Sequence, residues 1–413
     1  MNLKSNRAIT LIALIITIIV LLILAGVSLS MVLGENGLIN KAQSSVNRYK
    51  ESSENEQKLL NSIESYMDLQ LKSPGTKVDL PGGWNKDAVD AVLDDKKNII
   101  PVPKNFYYVG GNLDNGVIIS DNSADAYDGK IDKTTWEYTT SLAGNQFVWI
   151  PCTEEEYHKT DWGSNYMIGG NYDTSGISTK EVEQIKKYGG FYIGRYEAGL
   201  ADEIIEYSGT VLSTSNVGYN IDGIPLSKAG KIPWNFISYE FCKKNAKKMY
   251  EKSETVSSKL ISGTQWDVMI QKCIGKTNES GIIFSKNDLF DSGLIGNYGL
   301  NSISYSGRSA TATLNDTKWY ITDFKNKITG ETERYTLFTT GASKVSEMYH
   351  TYDIAGNLWE YTDEIGNSEI EHVFRGGSFR DPSNIHPVCY RHCDGNLTGA
   401  DCGLGFRVVL YLK

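Results

Sequence analysis

The sequence predicts an α+β protein in which a long apolar N-terminal helix and a helical stalk precede a large, loop-rich domain of short strands. Three observations lead to this prediction. Residues 8–34 carry no charge, residues 35–72 keep helical spacing of their apolar positions, and from about Ile99 short apolar runs alternate with Gly, Asn and Asp turns. A chain of 413 residues can bury one large or two ordinary cores.

The N-terminal run is the clearest physical signal. About 20 apolar residues suffice to cross a bilayer as a helix, and the run over 8–34 exceeds that length. Lys4 and Arg7 precede the run and Glu35 follows it. Because basic flanks stay in the cytoplasm, we expect a single-pass cell-membrane protein whose chain after residue 34 is extracytoplasmic. A cleaved secretory signal is the alternative, although its apolar region is normally shorter.

The same segment resembles the N-terminus of type IV prepilins. In that family a short basic leader ends at a small residue, and the apolar helix that follows begins with a pattern like the Ile-Thr-Leu-Ile of this chain. The resemblance implies that Ala8 is the last leader residue and Ile9 the first mature one. The family usually has glycine before the cut and glutamate at the fifth mature position, where this chain has Ala8 and Ala13. From the resemblance we expect leader cleavage between Ala8 and Ile9, and pilin-like assembly is an alternative role.

Residues 35–72 are predicted to continue the membrane helix outward as a stalk. Their apolar side chains recur at helical spacing, whereas the central "KESSENEQK" is polar on every face and is expected to be solvated. The "KSPG" at 72–75 ends the helix. We therefore expect a connector over residues 73–98 and the main domain over residues 99–413.

The main domain is predicted to hold short strands and two helices. The strands correspond to "NFYYVGG", "GVIIS", "QFVWIP" and "GGFYIGRYEAG", and the helices to "ISYEFCKKNAKKMYEK" and "TQWDVMIQKCIG". The sequence contains no phosphate-binding glycine loop followed by Lys-Ser/Thr, no HExxH and no G-x-S-x-G motif. The net charge of -9, without a basic stripe, argues against nucleic acid as a partner.

This domain resembles the formylglycine-generating enzyme family, also called the sulfatase-modifying-factor family, whose fold is a variant of the C-type lectin fold. The matching stretches occur in the family's order. They are "FVWIP", "GGFYIGRYEAG", "IPWNFISYEFCKKNAKKMY", "SKLISGTQWDVMIQ", "YDIAGNLWEYTDE", "FRGGSF" and "GLGFRVVL". The specific parts are "AGNLWEYT" and the pair "RGGSF" and "GFRV". The resemblance implies a loop-rich C-type lectin-like fold over residues 99–413.

In that family two closely spaced cysteines after the Gly-Gly-Ser bind the catalytic copper. Counted without gaps, their positions fall on Asp381 and His386, and Cys389 could stand for the second if a loop insertion is allowed. Cys389 and Cys393 are spaced C-x3-C, which could bind a soft metal or belong to buried thiols or disulfides. Because this departure from the family leaves the copper-binding cysteine pair incomplete, we expect a domain without copper and without catalysis. A formylglycine-generating-type oxidoreductase acting on protein cysteine is the alternative.

The family also binds calcium in a loop around the pattern Gly-Asn-x-Trp-Glu. Carried over to this chain, the resemblance implies that Asp353 and Glu360 supply carboxylate oxygens and that Gly356 and Leu358 supply backbone carbonyls. Hard oxygen ligands on one tight turn are what Ca2+ requires. The alternative is structural, with Asp353 capping the turn and Trp359 filling the core.

The window over residues 379–402 has an unusual composition. It contains fifteen residue types and lacks Lys, Glu, Gln, Met and Trp. A codon of the form adenine-adenine-pyrimidine, randomised at both adenines, encodes those fifteen types and none of the missing five. This pattern resembles the variable proteins of diversity-generating retroelements, which mutate adenines and vary C-terminal loops on lectin-type or formylglycine-enzyme-type folds. An ordinary surface loop is the alternative.

Together these features predict a membrane-anchored display protein that binds an unknown extracellular protein or glycan through the window. Loops on a rigid fold are where binding usually resides. The predicted ligand-binding residues are Arg380, Asp381, Ser383, Asn384, His386, Tyr390, His392, Asp394 and Asn396. We expect their side chains to be mostly exposed, and "RGGSF" and "GLGFRVVL" to form paired core strands. A minor pilin or a carbohydrate-binding tip protein is a further alternative.

Overall fold

The computed structural model of the chain divides into two compact units, Met1–Lys72 and Ser73–Lys413. It combines N-terminal helices with mixed helices and open sheets, in line with the predicted α+β class. The structure describes residues 5–34, 37–139, 141–167, 177–201, 221–299, 313–314, 317–318, 321–325, 332–366, 371–394 and 400–413.

The first unit contains two helices, α1 (Ser5–Leu33) and α2 (Leu38–Leu71). Among the described residues, one N-terminal helix is long and apolar enough to cross a membrane, by length and composition, and a signal sequence meets the same two criteria. The side chains of α1 from Ile12 onward are exposed, and none of α2 is buried. The helix α2 ends at Leu71, and Lys72 adopts an extended backbone. Pro74 follows closely and disfavours helical geometry at Ser73, so the helix cannot readily resume there.

Short strands supply most of the regular structure of the second unit. In chain order they are β1 (Lys77–Val78), β2 (Val89–Leu93), β3 (Ile99–Pro103), β4 (Tyr107–Gly110), β5 (Val117–Ser120), β6 (Gln146–Pro151), β7 (Gly190–Gly194), β8 (Val256–Leu260), β9 (Thr313–Leu314), β10 (Thr317–Lys318), β11 (Ile321–Lys325), β12 (Thr332–Thr336), β13 (Glu347–Met348), β14 (Thr351–Tyr352), β15 (Trp359–Ile365), β16 (His372–Arg375), β17 (Arg391–Asp394), β18 (Leu404–Phe406) and β19 (Val408–Leu412). The four strands predicted between residues 105 and 199 are confirmed as β4 to β7.

The largest described sheet has the strand order β4-β5-β6-β7-β19-β8. Its pairs are antiparallel, and the C-terminal β19 lies between β7 and β8, with Val409 opposite both Ile193 and Lys259. Every residue of β5, β7 and β19 is buried, which explains why these strands are mostly apolar rather than alternating. The end of the chain is thereby fixed in the middle of the sheet.

A second sheet, in the order β17-β16-β15-β18, positions the C-terminal window. The strand β16 runs antiparallel to both β15 and β17, whereas β18 runs parallel to β15. The stretch "GLGFRVVL" forms β18 and β19, and Phe406 is 1% exposed. The stretch "RGGSF" is a strand only at Arg375, because Gly376 and Gly377 turn the chain with φ of 95° and 73°.

Residues 73–98, predicted to be a connector, contribute two strands to the second unit. The strands β1, β2 and β3 form an antiparallel sheet. Four of the five residues of β2 are buried, so this segment forms part of the folded unit. Further two-stranded pairs are β9 with β10, β11 with β12, and β13 with β14.

Within the described residues of the second unit, the α-helices are α3 (Trp136–Thr139), α4 (Thr179–Tyr188), α5 (Tyr239–Lys248) and α6 (Gly263–Cys273). The two predicted helices are confirmed as α5 and α6. The helix α6 begins with a capping box, in which Ser262 accepts from the backbone of Gln265 and the Gln265 side chain accepts from that of Ser262. Trp266 on this helix is 1% exposed and donates its indole N–H to the carbonyl of Val388, so α6 packs against the window.

Candidate functional site

The window over residues 379–402 divides into an exposed part and a buried part. Arg380 and Asn384 are exposed, whereas Ser383 and Tyr390 are each 7% exposed. The expectation of a mostly exposed window is therefore wrong for Ser383 and for residues 387–391, because "VCYR" precedes and enters β17 and packs inward. Asp381, His386 and His392 are half-buried. Asp394 lies at the end of β17 opposite His372, and Asn396 lies outside the described residues.

The exposed part begins with a turn that is held by one carboxylate. Asp381 accepts hydrogen bonds from the hydroxyl and backbone N–H of Ser378. Its other oxygen lies 2.9 Å from Nδ1 of His386. Burial raises the pKa of Asp381, but the bonds from His386 and Ser378 outweigh it and leave the pKa below its usual range. An ionised carboxylate therefore orients the His386 ring at the surface.

Five rings form an aromatic cluster beneath this turn: Trp359, Phe374, His386, Tyr390 and His392. The centroid of Trp359 lies 5.2 Å from that of His386 and 5.4 Å from that of His392. His392 stacks on Phe374, its cross-strand partner, at 4.6 Å. The two histidines are the half-exposed members, whereas the other three are at most 7% exposed. Sequence reasoning placed Trp359 in the core only as the alternative to a calcium site, and it did not single out Phe374, which lies outside the window.

A buried ion network fixes the start of β17. Arg391 is 3% exposed and contacts the carboxylates of Asp267 and Glu364, the latter at 3.1 Å. Arg375 contacts the same Asp267 at 2.8 Å. Burial raises the pKa of Asp267, but the guanidinium groups of Arg375 and Arg391 outweigh it and hold the pKa below its usual range. The window is thus anchored to α6 by a residue that lies inside it.

The cysteines of the window do not gather at a metal site. Cys389 is 0% exposed, and burial raises the pKa of its thiol to about 12. Burial also raises the pKa of Cys402 to about 11, and its sulfur lies 3.0 Å from Nη1 of Arg380. Within the described residues, no group of three or more His, Cys, Asp or Glu could hold a metal ion. Among the described residues, Cys389 and Cys393 therefore belong to no such group.

The predicted calcium ligands lie on one turn, but protein donors already engage their carboxylates. Asp353 is 4% exposed and accepts from the hydroxyl of Ser346 at 2.7 Å and from the N–H of Gly341 at 2.6 Å. Glu360 is 0% exposed and accepts with both oxygens from Arg407, at 2.5–3.1 Å. As they stand, these carboxylates do not fit a calcium ion. Calcium binding here remains a proposal that requires Arg407 to release Glu360.

The turn is instead held by Glu197, which sequence reasoning missed. Its carboxylate accepts from the side-chain amide of Asn357 at 2.6 Å and from the backbone N–H of Leu358 at 3.0 Å. Burial, with Asp353 and Glu360 nearby, raises the pKa of Glu197 well above its usual range. Gly356 and Asn357 adopt φ of 72° and 58°, a conformation that these two residue types tolerate. The signal for Glu197 was its place in "GRYEAG", a stretch of the family resemblance.

No family model matches this chain, and no curated protein matches its sequence. Among solved structures it is similar to PvdO from Pseudomonas aeruginosa at 14% identity and a TM-score of 0.36, covering 65% of this chain and 95% of that one. It is similar to Treponema denticola variable protein 1 at 15% identity and 0.31, covering 65% and 96%. It is similar to CarF at 13% identity and 0.30, covering 53% and 85%.

Proposed function

We propose that this protein is a membrane-anchored, extracytoplasmic ligand-binding protein that presents a binding face on a non-catalytic C-type lectin-like domain. The length and apolar composition of α1 support an anchor. Lys4 and Arg7, which precede the charge-free run over residues 8–34, support an outward-facing domain. The proposed ligand is a protein or a glycan outside the cell, and the proposed binding residues lie in the window over 379–402.

One observation carries this proposal: the division of the window into an exposed strip on a buried frame. We call Arg380, Asn384, Ile385, His386 and His392 the display strip, because each of these side chains is exposed or half-exposed in the window's described part. The two histidines belong to the aromatic cluster, whose buried members Trp359, Phe374 and Tyr390 form the frame together with the ion network of Arg391. A rigid frame lowers the entropy lost when surface side chains bind a partner, and the fifteen residue types of the window supply varied surface chemistry.

The test is a library of the full-length protein produced in cells. The five positions of the display strip would be randomised to the fifteen residue types, and intact cells sorted with fluorescent lysozyme as the target. We expect most members to fold, because surface changes usually shift stability by about 0.5 kcal/mol or less, and we expect binders to be recovered. Protease added to intact cells should remove the binding signal, since the domain is proposed to lie outside.

A matched control randomises five buried positions of the same window, Phe379, Val388, Cys389, Arg391 and Cys402. Fewer cells of this library should display folded protein, because core substitutions commonly lower the free energy of unfolding by roughly 2–5 kcal/mol. Equal loss of folding in both libraries would contradict a separable binding face. A folded strip library without any binder would also contradict the proposal, and a protease-resistant domain would contradict its outward orientation.

The enzyme alternative leads to a separate prediction. Asp381 and His386 occupy the two positions counted for copper-binding cysteines and pair with each other instead. Cys389, with its pKa raised to about 12 by burial, is not a thiolate at neutral pH. Full-length protein given copper, oxygen and a Cys-x-Pro-x-Arg peptide should therefore leave the peptide mass unchanged. Conversion of the cysteine to an aldehyde, lost on Cys389→Ser, would establish the oxidoreductase function instead.

A further inference from the structure

An acidic cavity of about 610 Å³ lies among loops that share no residue with the window. Five of its lining side chains are carboxylic acids: Asp114, Asp132, Glu137, Glu279 and Glu347. Two lysines also line it, so acidic groups remain in excess. A cavity with this charge excess favours a positively charged occupant and disfavours an anion.

The side chain that points to a ligand is His350. It lines the cavity and is 8% exposed, yet neither ring nitrogen has a hydrogen-bond partner among the described residues. Burial, with Arg195 nearby, lowers the pKa of His350 to about 3. The ring is therefore neutral and offers one N–H donor and one nitrogen acceptor. Buried polar groups normally have hydrogen-bond partners, and a buried group that lacks one costs free energy. A ligand that supplies a hydrogen-bond partner to His350 would therefore be stabilised here.

The carboxyl group of Glu347 lies beside the His350 ring and supplies the negative charge that would attract a cation. Its Oε1 lies 3.8 Å from Nδ1 of His350, too far for a direct hydrogen bond but close enough for one N–H group of a ligand to reach both. Burial, with Glu279 nearby, raises the pKa of Glu347 to about 7, against the lowering effect of the hydrogen bond that its Oε1 accepts from the backbone N–H of His350. A bound positive charge would relieve this repulsion between two partly buried carboxyl groups.

We propose that this cavity binds a small organic cation with a primary ammonium group, whose N–H bonds are shared between His350 and Glu347. A compact ammonium has three donors, which matches a cluster of acceptors. A metal ion is disfavoured because the described residues bring together no group of three metal-ligating side chains. This site is independent of the ligand-binding function proposed for the window.

The experiment uses cadaverine as the probe and full-length protein in detergent. Isothermal titration calorimetry should detect saturable binding of cadaverine and none of 1,5-pentanediol, its neutral counterpart of similar size. Glu347→Gln keeps the shape and one carbonyl oxygen but removes the charge, and should weaken cadaverine about tenfold or more, as for a lost charge-assisted hydrogen bond. His350→Ala should weaken it similarly.

Because both of these positions are buried, two exposed variants keep the proposal testable if those proteins do not fold. Asp132→Asn, in the cavity wall, should weaken cadaverine severalfold. Asp222→Asn makes the same charge change at a residue outside the cavity that pairs with Lys244 and Lys248, and should leave binding unchanged. Equal weakening by both variants, equal binding of pentanediol, displacement of cadaverine by equimolar CaCl2, or no binding of cadaverine would each overturn the proposal.

Discussion

Replacing Arg391 by alanine is expected to lower the free energy of unfolding by roughly 3–5 kcal/mol, as for a buried ion pair that loses one partner. Arg391 contacts Asp267 and Glu364, and its Nη1 also donates to the carbonyl of Thr160 at 2.9 Å. In the variant, Asp267 and Glu364 would still pair with Arg375 but would lose the second positive charge, which Arg391 supplies from β17. Chemical denaturation of the full-length protein in detergent, followed by tryptophan fluorescence, measures the change.

Arg380 is the matched control, because it is an arginine of the same window that also pairs with an acid. Its partner is Asp401 at 2.9 Å, with side-chain exposures of 40% and 54%. Exposed pairs contribute about 0–1 kcal/mol, so Arg380→Ala should change stability by no more than that. Equal effects of the two substitutions would mean that Arg391 is not held as the structure describes and would remove the distinction between display strip and frame.

The contrast between exposed strip positions and buried frame positions also predicts which codons can vary if the window is diversified. Variation at the display strip leaves the frame intact, whereas variation at Arg391 or Cys389 would break the ion network or the core. Adenine-containing codons should therefore be concentrated at strip positions in any near-copy of this coding segment. Composition alone could not make this distinction, because the same residue type occurs in both parts: Arg380 is exposed, whereas Arg391 is buried.

Sequence reasoning succeeded where a local pattern is sufficient. The charge-free run predicted the apolar helix α1, and the continuous apolar runs "GVIIS" and "QFVWIP" predicted β5 and β6, because buried strands carry apolar side chains throughout. It treated β2 as part of a connector. The reason is physical, since "VDAVL" is short and its burial depends on pairing with β1 and β3 rather than on its own periodicity.

The candidate site was harder to predict because its partners are distant in the chain. Arg391 and Asp267 are separated by 124 residues, and Glu360 and Arg407 by 47. Nothing in the spacing of a single sequence reports such pairs, since register and sheet order bring them together. The family resemblance singled out Asp353 and Glu360 on either side of the turn around Asn357, but the pairing of Glu360 with Arg407 could only be read from the structure.

Glu360→Ala is expected to destabilise the domain by roughly 3–5 kcal/mol, because it leaves the guanidinium of Arg407 buried without its carboxylate. Arg407 is 0% exposed, and its remaining bonds are to the carbonyls of Gly194 and Tyr352. Glu360→Gln should recover only part of the loss, since the amide keeps one oxygen acceptor but loses the charge. Denaturant unfolding of the full-length protein compares the three forms.

A chelator separates this ion-pair role from the calcium role that the family resemblance implies. If Arg407 is the partner of Glu360, the melting temperature of the wild-type protein should be the same in excess EDTA and in excess CaCl2. A calcium ion bound only to the native state would instead add about 2.7 kcal/mol at a hundred-fold excess over its dissociation constant, so EDTA would lower the melting temperature and Glu360→Ala would abolish that difference. An EDTA-sensitive wild type would therefore show that Arg407 yields Glu360 to the metal, and the turn around Asn357 would be a calcium site rather than an ion-paired one.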